Sequence, residues 1–238
     1  MTLPRRVDPE LLDELLPDDP RAIEARRGLR RLNAVTLHGG AMARALLKYH
    51  PNETPRVLLE LGAGDGSAML RVARRLAPRW SNVTVIMLDQ RDIVDGMTRE
   101  AFAALRWRVE TVAADVFDFL RQTKPSSVDI IAANLFLHHF EREQLGDLLA
   151  AAARATTVFV AREPQRTKVA REISRMLWLI GLTDINCYDA VVSVRAGFRD
   201  QELSALWPQQ ERWELHERSP GYFLHYFAAR RLDGGKVQ

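Results

Sequence analysis

From residue 56 onward, two patterns of apolar and polar positions alternate along the chain. The first is a short apolar run, seen at Arg56–Leu61, Asn82–Asp89, Arg108–Ala113, Val128–Asn134 and Thr156–Arg162. Runs such as "VTVIML" and "VDIIAA" show no inside–outside alternation, which fits strands covered on both faces and hence a parallel sheet. The second pattern reads as helix, over Ser67–Ala77, Asp92–Ala104, Val116–Gln122 and Gln144–Thr156. Alternation of strand and helix predicts a doubly wound α/β sheet.

The two ends depart from this rhythm. Residues 9–50 read as helical. "DPELLDELLPDDP" is a short helix broken by Pro17 and Pro20, followed by one long or two broken helices with Gly39–Gly40 as the break. "HPNETPR" at 50–56 is turn-rich, so a helical cap over 1–52 and a main domain over 53–238 are expected. Beyond Arg162 the pattern predicts a helix over Lys168–Gly181, a loop through "CYDAVVSVRAGF" and a short helix over Asp200–Trp207. "ERWELHERS" and "GYFLHYFAAR" surround Pro220–Gly221 and read as an antiparallel hairpin that ends the sheet.

The 238 residues, 47% of them apolar, suffice for one α/β domain with a modest appendage. The longest candidate for a membrane span, Met176–Leu182, has seven residues and charged flanks. The N-terminus lacks the apolar centre of a secretory signal, and Cys187 is the single cysteine, so no internal disulfide is expected. These features predict a cytoplasmic protein. Net charge is +3 and the sequence pI about 9.3. Arg21, Arg26, Arg27, Arg30 and Arg31 cluster against one acid, Glu24. Such a cluster reads as a nucleic-acid patch or as the solvated face of an amphipathic helix that buries Ala22, Ala25, Leu29 and Leu32. No RNA-binding motif accompanies it, so the second reading is preferred.

Chemistry concentrates in "VLLELGAGDGSAML". Gly62, Gly64 and Gly66 stand at a strand-to-helix junction, where dense glycines mean close approach to the backbone. The dinucleotide fingerprint needs a glycine at position 67, which is Ser67. Glu60 and Asp65 repel a pyrophosphate and welcome a cation. The loop therefore suits a nucleoside without phosphates, preferably a positively charged one. Asp89 ends the second strand, where an acid accepts from a ribose diol. Asp115 follows the third, where a carboxylate or nearby backbone reads an adenine amino group, or simply caps a helix.

Together these residues resemble the class I S-adenosylmethionine-dependent methyltransferases. "ELGAGDG" at Glu60–Gly66 matches that superfamily's first motif, E/D-x-G-x-G-x-G, and "IIAANLFLHHF" at 130–140 resembles its fourth-strand motif. The resemblance covers roughly residues 56–230. It implies a Rossmann-like sheet, S-adenosylmethionine as cofactor, and a binding set of Glu60, Gly62, Ala63, Gly64, Asp65, Gly66, Asp89, Gln90, Asp115, Val116 and Asn134. The whole chain is similar to small bacterial methyltransferases found beside type III polyketide synthases of phenolic-lipid and quinone metabolism. That likeness implies O-methylation of a hydrophobic phenol, with C-methylation as an option.

The acceptor side is read from single residues. Asn134 is followed by "LFL" and not by the "PP" of amine-methylating enzymes. His138 and His139 are candidate bases, since imidazole titrates near neutral pH, or are structural. Neighbouring histidines are expected to point apart, so no metal site is expected. His38, Phe136, Trp178 and Arg195 are candidates for the substrate pocket, Arg195 as a buried cation for an acceptor oxygen. The expected partner is a small molecule, with a homodimer left open. An RNA methyltransferase and a non-catalytic cofactor-binding module are the competing readings.

Overall fold

The computed structural model describes residues 3–16, 18–35, 38–50 and 53–232, with backbone only for 31–35, 38 and 39. Seven strands form one sheet: β1 (Val57–Leu61), β2 (Thr84–Asp89), β3 (Arg108–Ala113), β4 (Val128–Asn134), β5 (Thr156–Pro164), β6 (Trp213–Arg218) and β7 (Leu224–Arg231). Their order is β3-β2-β1-β4-β5-β7-β6. The first five run parallel, and β7 enters antiparallel between β5 and β6. The expected parallel sheet with an antiparallel terminal hairpin is what forms. The apolar strands lie where two-sided burial predicts: β1, β4 and β5 are central, while the half-exposed β3 is an edge.

Nine helices accompany the sheet among the described residues: α1 (Leu11–Glu14), α2 (Pro20–Val35), α3 (His38–Tyr49), α4 (Ser67–Leu76), α5 (Gly96–Ala104), α6 (Val116–Gln122), α7 (Arg142–Ala155), α8 (Lys168–Arg175) and α9 (Asp184–Ala196). One core joins Leu58, Val85 and Val160 to Met42 and Leu46 of α3, Met69 and Val72 of α4 and Phe102 of α5. The opposite core joins Leu59, Ile131 and Phe159 to Leu145 and Leu148 of α7, Trp207 and Phe227. No helix among the described residues is long and apolar enough to cross a membrane.

Four details differ from the sequence pattern. Gly39 and Gly40 lie inside the first turn of α3, so they do not mark the break between helices. The helix expected over Lys168–Gly181 stops at Arg175; a 3-10 turn, Leu177–Ile180, follows, and Gly181 at φ 78° ends it. The stretch expected as loop is α9. Its valines obscure helical propensity, but Thr183 and Asn186 form a capping box at its start. The helix expected over Asp200–Trp207 shrinks to a 3-10 turn at Ser204–Leu206. There Asp200 takes φ 52°, and the Glu217 carboxylate captures the N–H groups of Leu203 and Ser204.

Candidate active site

The parallel strands carry their carboxyl ends to one rim, and the order reverses direction between β1 and β4. A crevice opens at such a switch point in doubly wound sheets. Here it is a cleft of about 500 Å³ whose floor includes Gly62–Asp65 after β1, Asp89–Arg91 after β2, Ala114–Val116 after β3 and Leu135–Phe136 after β4.

Gly62, Gly64 and Gly66 all have positive φ, at 65°, 55° and 73°. A Cβ on Gly62 would stand 2.3 Å from the Phe136 ring, so this glycine is required by a neighbouring side chain. A Cβ on Gly64 would meet nothing within 4 Å. Phe136 reaches Gly62 because Leu135, at φ 57°, turns the chain sharply after β4. A bulky residue in the left-handed region marks a locally strained turn, typical of functional sites.

The acids take distinct positions. Asp89 accepts from the Gly64 N–H at 2.8 Å through one oxygen and from the Arg91 N–H at 3.2 Å through the other. It thereby locks the glycine loop to the end of β2. Asp65 accepts from Ser67 N–H and pairs with Arg30 of α2, each at 3.0 Å. Burial raises the Asp65 pKa, but these partners outweigh it and the net shift is downward. Asp115 caps α6, accepting from the N–H groups of Phe117 and Asp118 at 2.8 and 3.1 Å, and lines the cleft while exposed. Glu60 is 2% exposed, and its Oε2 has no hydrogen-bond partner. Burial, and then Asp65 and Asp89, raise its pKa well above the ordinary value. An orphaned buried carboxylate among acids fits a cationic ligand and opposes a phosphate.

The two histidines part ways. His138 is 3% exposed and does not line the cleft. Its Nδ1 lies 2.8 Å from Glu163 and its Nε2 3.2 Å from Glu10. Burial lowers its pKa, but the two carboxylates outweigh this and hold it at about 9. His138 is thus a protonated structural cation, and it is corrected as a candidate base. His139 lines the cleft with Asp13 3.7 Å away. Burial, and then the charge of His138, lower its pKa, so it is neutral at physiological pH. Their rings stack with centroids 4.3 Å apart and do not point apart, because both sit on one 3-10 turn. Glu10, His138 and His139 bring ligand atoms within 4.8 Å of one another, but both nitrogens of His138 already face carboxylates.

The remaining expectations divide. Ala63, Gln90, Val116 and Phe136 line the cleft; Gly66 and Asn134 sit beside it, at the start of α4 and the end of β4. Trp178 is 60% exposed on the 3-10 turn and lines no part of the cleft. Arg195 pairs with Asp8 at 3.2 Å and is not the buried cation of a pocket. His38 opens α3, and its side chain lies outside the described residues.

Sequence patterns missed the N-terminal segment. Glu10, Leu12 and Asp13 form one wall of the cleft. The Arg91 guanidinium donates to the carbonyls of Leu15 and Asp13 at 2.7 and 3.2 Å, and Asp189 of α9 accepts from the N–H groups of Leu11 and Leu12. Arg26 and Arg30 also reach the cleft, so part of the basic cluster of α2 is turned inward.

Residues 58–158 match the model of a methyltransferase domain. No curated protein matches the chain by sequence. Among solved structures, an O-methyltransferase family protein from Burkholderia thailandensis shares the fold at 18% identity and TM-score 0.59, over 92% of this chain and 62% of that one. Mitomycin 7-O-methyltransferase MmcR does so at 19% identity and TM-score 0.60, over 93% and 60%. The plantazolicin methyltransferase BpumL, solved with a monoazolic desmethylPZN analog and SAH, is similar at 12% identity and TM-score 0.59, over 90% and 91%. The chain therefore spans less than two thirds of the first two of these proteins. Residues 58–158 thus carry a match to a methyltransferase domain, centred on the glycine loop, within a fold that the whole chain shares with solved methyltransferases.

Proposed function

We propose that the protein O-methylates a hydrophobic phenolic or quinone-like small molecule. The observation that carries this reading is His139, a neutral imidazole on the wall of the cofactor cleft, beside Asp13. Apolar walls from Leu12, Leu29, Ile93, Phe136 and Phe140 accompany it. Two of the similar structures, the Burkholderia thailandensis protein and MmcR, bear O-methyltransferase names, which agrees with oxygen as the acceptor atom. The likeness to methyltransferases of phenolic-lipid metabolism belongs to the same proposal.

When bound, S-adenosylmethionine supplies an electrophilic methyl group on a sulfonium centre. Glu60, Gly62, Gly64 and Asp65 would hold its amino-acid part, Asp89 and Gln90 its ribose, and Asp115 and Val116 its base. The chain's task is then to align an oxygen lone pair, exclude water and remove a proton. His139 takes that proton at a ring nitrogen, and Asp13 stabilises the imidazolium that results. The N-terminal segment closes the cleft against solvent.

The test is turnover with labelled cofactor across a panel of alkylated phenols and hydroquinones. His139→Ala should lower kcat/KM by roughly 10²–10⁴-fold while S-adenosylhomocysteine affinity stays unchanged. Because the His139 pKa is lowered, the acidic limb of the wild-type pH profile should fall below about pH 6.5. An unaltered rate in His139→Ala would remove it as the base.

A further inference from the structure

The segment after β5 carries apolar side chains on its outer side. α8 is held inward by the buried Ala170 and Ser174. Its cap, Thr167, accepts from the Ala170 N–H at 3.0 Å and donates through its hydroxyl to the Tyr222 carbonyl at 2.8 Å. A surface helix anchored this way normally turns polar residues to solvent. Here Val169, Ile173 and Met176 recur at helical spacing as a second apolar stripe, and all three are exposed. Trp178, Leu179 and Ile180 follow on the 3-10 turn, exposed as well.

The apolar surface extends to the terminal hairpin. The Gln165 N–H donates to the Phe223 carbonyl at 2.9 Å, so the turn carrying the exposed Tyr222 and Phe223 sits at the start of α8. Single exposed apolar residues need no explanation, but a cluster of this size marks a binding surface.

Charge and composition indicate what covers it. Lys168, Arg171 and Arg175 share one face of α8, beside the apolar stripe, and Glu172 is the helix's single acid. Arg218, exposed at the end of β6, adds a cation next to the hairpin turn. Trp178, Tyr188 and Tyr222 each join an apolar ring to a polar edge, which suits the depth of lipid headgroups. The patch also adjoins the helix that walls the cleft. A Cβ on Gly28 of α2 would stand 2.9 Å from Leu182, just after the 3-10 turn, and Leu29 lines the cleft.

We infer that this patch docks the protein on an anionic membrane face, from which a hydrophobic acceptor reaches the cleft. The inference rests on the reading of the acceptor as hydrophobic, since such a molecule partitions into lipid. α8 and the 3-10 turn lie in the plane of the interface. Their apolar side chains enter the boundary between headgroups and acyl chains, and Lys168, Arg171 and Arg175 meet the lipid phosphates.

The protein carries its own reporter. Of the five tryptophans, Trp80, Trp107, Trp207 and Trp213 are at most 6% exposed, and Trp178 is 60% exposed. Vesicles of phosphatidylcholine with roughly one-third phosphatidylglycerol should shift the tryptophan emission to the blue and carry the protein in flotation. Affinity should be about tenfold or more above that for phosphatidylcholine alone, and should fall as salt is raised. Trp178→Phe should abolish the shift and retain most of the flotation. Leu179→Asp together with Ile180→Asp should lower vesicle affinity by about tenfold or more, with the melting temperature unchanged as evidence of an intact fold. Absence of flotation, or equal affinity of the wild type and the double variant, would overturn the inference. So would a dimer that forms through the patch without vesicles, which would assign the surface to a second copy of the chain. A protein that floats but methylates no alkylated phenol or hydroquinone would instead strike the acceptor reading above.

Discussion

At the scale of single residues, the site depends on pairs of like groups driven to opposite states. His138 and His139 are adjacent, yet one is charged and the other neutral. Two carboxylates enclose the first, and the charge of the first disfavours a proton on the second. The His138 pKa is raised from its ordinary 6.5 to about 9, so its contribution to stability is complete below pH 6.5 and is lost as pH rises through about 9. Thermal unfolding from pH 6.5 to pH 9.5 should therefore show a loss in the wild type that His138→Gln largely lacks. At pH 6.5 the variant itself should be less stable by about 3 kcal/mol, because Glu163 and Glu10 remain buried without a cation. Parallel pH profiles for the two proteins would contradict the charged triad. The glycine loop and Asp89 were legible from sequence because each announces a backbone requirement locally. The state of His138 was not, since Glu10 stands 128 positions away and Glu163 25.

At the scale of elements, the strands of the parallel sheet were readable from unbroken apolar runs, and α9 was not. Val191, Val192 and Val194 favour a strand locally, and packing against the N-terminal helices decides for helix. Gly28 of α2 lies so close to α9 that a Cβ there would meet Asn186 at 2.8 Å, and Asn186 donates to the Ala25 carbonyl at 3.1 Å. α9 in turn anchors the extended N-terminal segment. Arg5 donates to the carbonyls of Ala196 and Phe140, each at 2.8 Å, and its guanidinium lies 4.9 Å from the centre of the Phe198 ring. Arg5→Ala leaves both carbonyls without this donor and should destabilise the docked segment by about 1–3 kcal/mol. Proteolysis within residues 5–15 should accelerate, and S-adenosylhomocysteine should bind more weakly as Glu10 and Asp13 withdraw from the cleft. Unchanged cleavage would show that the segment is held elsewhere.

At the scale of the molecule, the sheet supplies a rigid rim and the two chain ends supply its cover. The terminal hairpin places Tyr226 against Arg162, and the N-terminal segment closes the opposite wall. Outside the cleft, Met176, Trp178, Leu179 and Ile180 stand exposed together after α8. The overall architecture was legible because it follows from the order of elements. The cover was not, because it consists of contacts between segments distant in sequence, from 76 positions for Arg91 and Leu15 to 191 for Arg5 and Ala196.

Those distances bear on how the protein is made. Arg5 meets Ala196 across 191 positions, and Leu3 accepts from Arg166 across 163. The segment that finishes the cleft is made long before α9, and it has nothing to dock on until α9 has been synthesised. Contacts of such long sequence separation form late, after the sheet has condensed. Pulsed hydrogen exchange during refolding should find the amides of β1 and β4 protected before those of Leu11 and Leu12, which are held by Asp189. Simultaneous protection would refute that order. A nascent chain halted before residue 184 would hold a complete glycine loop and an open cleft, so the wall built from Glu10 and Asp13 waits for α9.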